Sequence, residues 1–281
     1  MKDRFFFRKG TLIQCGVIAT ALSASVWQSP AQIVTLLDNN SVAQVNTGSQ
    51  AGMFNWVVDN SGNQLAQQWF WYRVGNNPEA PINTISAPVN LQPAANVLDT
   101  RYNNGQFSVR VQYTLAGGQI GSGTSDIGEA ITINNLSASP LDFHFFQYSD
   151  FDLNGPGNDV VQLGGLFAGR LYAADQTDLG TLSENMDNVS GANRGEVGFF
   201  NSTLVKLNDA NPDNLNNNLG PVGPGDVTWA FQWDYLIPVG GSAVISKDKI
   251  LHINPVPEPG ALALVSVGLA GLALIKRRTS V

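Results

Sequence analysis

The clearest pattern in the chain is an alternation of apolar and polar residues with a period of two. The odd-numbered residues are apolar over 107–115 and again over 227–235, where they include Trp229 and Trp233. A strand sends successive side chains to opposite faces, so this period predicts strands buried on one face, with both tryptophans in the core. Stretches of similar character predict further strands at 53–58, 65–73, 84–91, 129–136, 141–148, 160–173, 195–207 and 242–253.

Glycine, asparagine and proline separate these segments, as at 76–78, 103–105, 154–157 and 240–241. Such residues favour tight turns. Many short strands with this punctuation predict an all-β fold, an antiparallel β-sandwich of jelly-roll-like topology, in one domain over residues 32–255. The Asn-rich segment 208–225 is predicted to be a long surface loop, because it has too little apolar surface to order itself.

Composition narrows the function classes. Of the 281 residues, 43% are hydrophobic and only 13% charged, with 29 Gly and 14 Pro, a profile unlike that of helical bundles or coiled coils. The apolar fraction is also too high for a wholly disordered chain. The net charge of -7 and the lack of an interior basic stripe argue against a nucleic-acid partner.

Residues 1–31 have the layout of a secretory signal peptide. Four basic residues precede an apolar stretch at 12–22, and small residues follow at Ser29 and Ala31, with Ala24 as a second cleavage candidate for signal peptidase. The alternative is an anchor helix, but the stretch is well short of the roughly 20 residues that span a bilayer. The only cysteine, Cys15, lies in this segment, so the predicted mature chain has none and its stability depends on a packed core, bound ions or both.

The C-terminal segment 256–281 has three parts in a fixed order. A short motif at 256–259 contains Pro257, Glu258 and Pro259; sixteen uncharged residues follow at 260–275, and then a basic end at 276–281. At about 1.5 Å per residue, a helix over 260–275 is ~24 Å long and can cross an inner membrane with some snorkelling. The basic end is expected to stay in the cytoplasm, which leaves the rest of the chain outside. This end contains Lys276, Arg277 and Arg278.

This arrangement resembles the PEP-CTERM sorting signal of Gram-negative bacteria. The resemblance covers only the last 26 residues or so, and it implies an inner-membrane-anchored intermediate that an exosortase processes for the cell surface or extracellular matrix. It further implies a setting in the extracellular polysaccharide of a biofilm. The alternative is an ordinary C-terminal membrane anchor in which Pro-Glu-Pro occurs by chance.

An aspartate-rich stretch is the sharpest local motif in the domain. Asp150, Asp152 and Asn154 place oxygen atoms at alternate positions ahead of a glycine, and Asp159 follows. Such oxygens suit Ca²⁺, so these four residues are candidate metal ligands, completed by a distant carboxylate such as Asp126 or Glu129. The pattern lacks the final glutamate and the helices of an EF-hand. The alternative is a hairpin whose Asx side chains cap their own backbone amides.

Consecutive aromatic residues at 69–72 must point to both faces of a strand. Trp69, Trp71 and Tyr72 are therefore candidates for stacking on sugar rings, and the alternative is that both faces are covered and these side chains belong to the core.

Catalytic motifs are weak in this sequence. His144 and His252 have no nucleophile elbow or metal-ligand spacing around them. The sequence therefore favours a non-enzymatic exported surface or matrix protein. The alternatives are a Ca²⁺-dependent carbohydrate-binding module and, with less support, a secreted glycoside hydrolase.

Overall fold

The computed structural model describes residues 33–178, 180–186 and 191–253. The predicted signal peptide and the predicted sorting segment, including its helix at 260–275, lie outside these residues. Within the described part of the chain, no helix is long and apolar enough to cross a membrane.

Strands make up most of the described chain, together with one short helix and a 3-10 turn at Ile82–Thr84. In chain order the elements are β1 (Ile33–Asp38), β2 (Ser41–Asn46), β3 (Gly52–Val58), β4 (Leu65–Val74), β5 (Ala80–Pro81), β6 (Val89–Ala94), β7 (Val97–Asn103), β8 (Phe107–Gly117), β9 (Thr124–Asn135), β10 (Leu141–Phe151), β11 (Asp159–Gly164), β12 (Ala173–Thr177), β13 (Gly180–Met186), β14 (Arg194–Phe199), α1 (Ser202–Leu207), β15 (Val222–Gly225), β16 (Val227–Ile237) and β17 (Ser242–Ile253).

The strands form two sheets. Sheet A has eight strands in the order β1, β2, β3, β4, β10, β16, β14, with β5 paired to β4. Sheet B has nine strands in the order β15, β11, β12, β13, β17, β9, β8, β7, β6. All pairings are antiparallel except a short parallel contact between β3 and β4. The antiparallel sandwich is therefore confirmed, but the jelly-roll topology is not found, because a jelly roll has about eight strands in total.

The core lies between the two sheets. The odd-numbered side chains of β10 and β16 share the inner face of sheet A, where Phe145 packs against Trp233 with ring centroids 6.1 Å apart. Trp229 reaches across the interior and donates its indole N–H to Gln176 of sheet B. Both Trp229 and Trp233 are fully buried, as their alternating positions predicted.

Several predicted strands match the structure closely and others do not. Segments 107–115, 227–235 and 242–253 lie within β8, β16 and β17. The prediction for 195–207 is wrong in its second half, because Asn201 adopts a left-handed conformation (φ 69°) that ends the strand and α1 follows. The segment 160–173 is split after β11, where Gly165 has φ 66°. The strand predicted at 84–91 starts later, at Val89.

The Asn-rich segment does not behave as a free loop. It has little regular structure before β15, as predicted, but its first half lies across the outer face of sheet A. Leu215 is 2% exposed, and its amide donates to the Gln232 side chain at 2.9 Å. The Asn216 amide donates to Glu196 of β14 at the same distance. The expectation that this segment cannot order itself is wrong, because polar contacts with the sheet replace the missing apolar burial.

A charged cluster lies inside the core of the sandwich. Glu129 of β9 forms ion pairs with Lys247 and Lys249 of β17, the second at 2.8 Å, and all three side chains are buried. Lys247 also lies over the ring of Phe70. Burial alone would raise the pKa of Glu129, but the two ammonium groups outweigh burial and lower this pKa. Glu129 is therefore paired with these two lysines and does not act as the additional ligand of the predicted metal site.

Candidate functional site

Two of the four predicted metal ligands meet a carboxylate that the sequence did not indicate. Asp150 lies at the end of β10, Asp152 in the turn after it, and Asp226 directly before β16. One carboxylate oxygen from each of these residues lies within 4.8 Å of the other two. The antiparallel register pairs Asp150 with Thr228, which brings Asp226 beside the turn. We call Asp150, Asp152 and Asp226 the aspartate cluster.

The other two predicted ligands lie elsewhere. Asn154 is an exposed turn residue with φ 62°, and its amide donates to the Gln64 side chain. Asp159 is fully buried at the start of β11, and its oxygens make no hydrogen bond of normal geometry. Burial raises the pKa of Asp159 to about 7, although the nearby Gln176 side chain lowers it in part. Asp226 therefore takes the place that the sequence assigned to Asp159 or to a distant residue such as Asp126.

The aspartate cluster is a site of concentrated negative charge. Burial raises the pKa of Asp150 to about 7, and the neighbouring carboxylates of Asp152 and Asp226 add to this effect. The pKa of Asp152 is also raised, by burial and by Asp226. Burial raises the pKa of Asp226 as well. No ion pair joins these three carboxylates to a basic side chain among the described residues.

The predicted sugar-stacking residues do not form an exposed platform. Trp69 and Trp71 are fully buried, and their indole N–H groups donate to Asn83 and to Asn208. Tyr72 is half-buried and packs against other aromatic rings at one end of the core, beside a cavity of about 300 Å³. The stacking prediction is wrong for the two tryptophans, because the 3-10 turn and the Asn-rich segment cover the outer face of β4.

His144 does have a carboxylate partner in the folded protein. Its Nδ1 lies 2.6 Å from Oδ1 of Asp234, and its Nε2 lies 3.4 Å from Asp142. Burial alone would raise the pKa of Asp234, but hydrogen bonds from His144 and Gln232 lower it. The strand register brings His144 and Asp234 opposite each other, so sequence spacing could not reveal this pair.

The outer face of sheet B carries a polar cavity of about 340 Å³. Small residues form its floor, at Gly128 and Ala130 of β9, and carboxylate, amide and hydroxyl groups surround it. The polar side chains are those of Gln112, Thr114, Asp126, Ser246 and Asp248. None of the described residues that line this cavity is aromatic. Such groups can donate to and accept from several hydroxyls at once, which suits a polyhydroxylated ligand.

Comparison with solved structures finds proteins that share the fold of the sandwich. A bacterial glucoamylase complexed with acarbose aligns with 84% of this chain at 9% identity and a TM-score of 0.57. The chain spans about a third of that enzyme, 34%. A putative aldose 1-epimerase from Escherichia coli K12 aligns with 80% of this chain and 99% of its own, at 9% identity and a TM-score of 0.50. The Slr1438 protein from Synechocystis sp. PCC 6803 aligns with 79% of this chain and 96% of its own, also at 9% identity, with a TM-score of 0.51. At such identities the likeness shows the fold alone.

The sequence comparison identifies the C-terminal signal. Residues 255–278 match the family model of the PEP-CTERM protein-sorting motif. No curated protein matches the chain by sequence. The chain therefore carries a PEP-CTERM sorting signal, as its C-terminal residues indicated, and this signal implies an exported protein that an exosortase sorts at the membrane.

Proposed function

We propose that this protein is a non-enzymatic protein of the cell surface or extracellular matrix that associates with extracellular polysaccharide. The sorting signal at 255–278 carries the proposal, because it directs the sandwich out of the cell through a membrane-held intermediate. In this proposal the apolar segment 260–275 anchors that intermediate and the basic residues at 276–278 hold its end in the cytoplasm.

The shape of the sandwich supports a carbohydrate as the partner. The names of two proteins with this fold, a glucoamylase complexed with acarbose and an aldose 1-epimerase, refer to sugars. The cavity on the outer face of sheet B offers two carboxylates, an amide and hydroxyls around a floor of small residues. Sugar rings can lie on such a floor while the polar groups bind their hydroxyls.

A non-enzymatic role is favoured by the positions of the ionisable groups. The pair formed by His144 and Asp234 lies on the outer face of sheet A, whereas the polar cavity lies on the outer face of sheet B. This histidine–aspartate pair is thus separated from the cavity by the thickness of the sandwich, and proton transfer requires hydrogen-bond reach. A hydrolase acting at the cavity would have to use the carboxylates of Asp126 and Asp248 instead. The alternative, a secreted glycoside hydrolase, predicts release of reducing sugar from a polysaccharide that the protein binds.

The sorting step is tested by Glu258→Gln in the full chain, with Asn254→Ala, just before the matched residues 255–278, as the control. We expect the Gln variant to accumulate in the membrane fraction as the uncleaved species, while the control is processed at the wild-type rate. The readout is membrane fractionation with immunoblotting. Wild-type processing of Glu258→Gln contradicts sorting through this motif.

Polysaccharide binding is tested separately on glycan arrays and by co-sedimentation with the cell's own polymer. Asp248→Asn is expected to weaken binding by about 10- to 100-fold, because hydrogen bonds to charged groups contribute roughly 1.5–3 kcal/mol. Asp142→Asn, an exposed change on the other sheet, is the matched control. If the protein binds no glycan, the proposal is contradicted. If reducing ends are released from the polysaccharide, the glycoside hydrolase alternative is supported instead.

A further inference from the structure

The aspartate cluster has the geometry of a divalent cation site. Its three carboxylate oxygens lie within 4.8 Å of one another. Calcium binds oxygens at about 2.3–2.6 Å, so two ligands of one ion are at most roughly 4.6–5.2 Å apart. Separations within 4.8 Å are therefore compatible with calcium. Magnesium usually keeps several waters and binds only one or two carboxylates, so a set of three carboxylates suits calcium better.

Buried oxygens without hydrogen-bond partners surround the same point. Asp150 is 3% exposed, and its Oδ1 makes no hydrogen bond. Thr228 lies opposite Asp150 in the strand register, and its buried hydroxyl also makes no hydrogen bond of normal geometry. The buried hydroxyl of Tyr148 lies next to that of Thr228. Burial raises the pKa of Tyr148, and the nearby carboxylates of Asp150 and Asp226 add to this rise. Buried polar groups in folded proteins nearly always have partners, so this concentration points to an absent one.

The charge of the cluster points to a cation in particular. Three carboxylates converge here, and no basic side chain of the described residues pairs with them. Elsewhere in the same molecule the buried carboxylates of Glu79, Glu129 and Glu196 have Arg or Lys partners. These three glutamates are neutralised by basic side chains, whereas the aspartate cluster has no such partner. The buried Asp159 also forms no ion pair with a described residue, and its carboxylate adds to the negative charge at Asp150.

We propose that Asp150, Asp152 and Asp226 bind one Ca²⁺ ion, with the Thr228 hydroxyl as a neutral oxygen ligand. The ion ties the turn after β10 to the start of β16, two segments that are distant in sequence and adjacent in sheet A. This site lies on the opposite side of the sandwich from the polar cavity, so the proposal does not depend on polysaccharide binding.

Terbium provides a direct probe of this site. Tb³⁺ replaces Ca²⁺ at oxygen sites and luminesces when an adjacent aromatic side chain transfers energy to it. Tyr148 is next to the cluster, and Trp71 packs edge-to-face on Tyr148 with ring centroids 6.2 Å apart. The full chain in detergent is titrated with Tb³⁺ and then with Ca²⁺ as competitor. We expect sensitised emission with one ion per chain that Ca²⁺ displaces.

The variants are chosen so that a loss of ion binding can be distinguished from a loss of folding. Asp226→Asn and, independently, Asp152→Asn should reduce the Tb³⁺ and Ca²⁺ affinities at least tenfold, while Asp142→Asn at the other end of β10 should leave them unchanged. In chelator, Asp150→Asn should melt at or above the wild-type temperature, because one of three mutually repelling carboxylates is removed. Circular dichroism shows which variants fold.

Calcium should also stabilise the wild-type chain. At a free concentration about 100 times the dissociation constant, the melting temperature should rise by roughly 5–10 °C, and the Asp226→Asn chain should show no rise. The proposal is overturned if about 10 mM Ca²⁺, ten times the weakest constants of extracellular modules at about 1 mM, gives neither effect in the wild type. Binding that persists unchanged in the folded Asp226→Asn and Asp152→Asn chains overturns it as well.

Discussion

Glu129→Gln is expected to destabilise the protein far more than the loss of an ordinary surface charge. The substitution keeps the shape of the side chain and an oxygen acceptor, but it removes the negative charge that Lys247 and Lys249 share inside the sandwich. Both lysines are fully buried, so bulk water cannot replace the missing carboxylate. Removing one partner of a buried ion pair costs about 3–5 kcal/mol, against a total stability of about 5–15 kcal/mol for a typical domain.

Urea unfolding of the full chain in detergent measures this loss. Five tryptophans are fully buried, so their fluorescence reports on the whole sandwich. With a slope of roughly 2–3 kcal/mol per molar urea, the midpoint should fall by about 1–2 M. Asp142→Asn, which changes a carboxylate that is 60% exposed, serves as the control and should shift stability by less than about 0.5 kcal/mol.

The pH dependence separates the charge effect from a packing effect. In the Gln variant the buried lysines lack their carboxylate, and burial favours their neutral form, so their folded pKa lies below the unfolded value. The unfolded state then binds more protons than the folded state, and stability rises as pH rises. Replacing all three residues by methionine should restore stability or raise it, since apolar side chains of similar volume need no neutralisation. A loss below about 1 kcal/mol for Glu129→Gln would refute the reasoning.

Three further changes test other parts of the fold. Gly52→Ala should cost about 2–4 kcal/mol in urea unfolding, because Gly52 has φ 57° and a Cβ there would lie 2.3 Å from a carbonyl oxygen. Gly75→Ala is the control: Gly75 has φ 56° but open space around it, so the loss should be only about 1–2 kcal/mol. Equal losses in the two variants contradict the argument from the close contact. Leu215→Ala should cost about 2–3 kcal/mol if the Asn-rich segment is packed as described, and the exposed Leu236→Ala should have little effect. The lowered pKa of Asp234 means that its stabilisation is present above about pH 4 and is lost as pH falls further, so Asp234→Asn should flatten the acid limb of a stability-against-pH curve.

Much of the strand pattern could be predicted because one physical rule dominates it. Where a strand has one buried and one exposed face, as in β8, alternation is strict and the prediction is close. In β16 the rule predicts the strand and its inner face, but not the burial of the outer face, where Thr228, Ala230 and Gln232 are also buried. The rule fails for α1, a helix too short to show a helical period in the sequence. Its residues are placed by contacts with Glu196, which accepts hydrogen bonds from Thr203 and Lys206.

The sequence of β4 already indicates that the outer face of sheet A must be covered by another part of the chain. Consecutive aromatic residues at 69–72 require burial on both faces of β4, and the outer face therefore needs a cover. Arg73 adds a buried charge on that face, where Glu79 and Asn214 accept its hydrogen bonds. An Asn-rich segment is suited to this polar surface because each side-chain amide can both donate and accept. The sequence alone does not show which residues of this segment contact which residues of sheet A.

The candidate metal site could likewise be predicted only in part, because its residues come from segments that are distant in sequence. Two aspartates that are close in sequence could be predicted as neighbours, since a turn brings alternate positions together. Asp226 joins them only because β10 and β16 pair in a particular register, and a single sequence does not contain that register. Lys247 and Lys249 did carry a signal, because they occupy the same alternating positions as the buried Ile245 and Leu251 of β17. Charged residues in phase with an apolar face predict buried ions, and their partner must come from a neighbouring strand.

The two buried charge systems differ in where their neutralising charge comes from. The charge of Glu129 is neutralised within the chain, by Lys247 and Lys249. The aspartate cluster has no such partner among the described residues, and the proposed Ca²⁺ would have to come from the surroundings. Extracellular calcium modules bind with dissociation constants of about 0.1–1 mM, so the site would fill where calcium is abundant. The predicted mature form of this exported chain has no cysteine. Calcium at ten times the dissociation constant, about 1–10 mM, would supply about 1.4 kcal/mol of stability only after export.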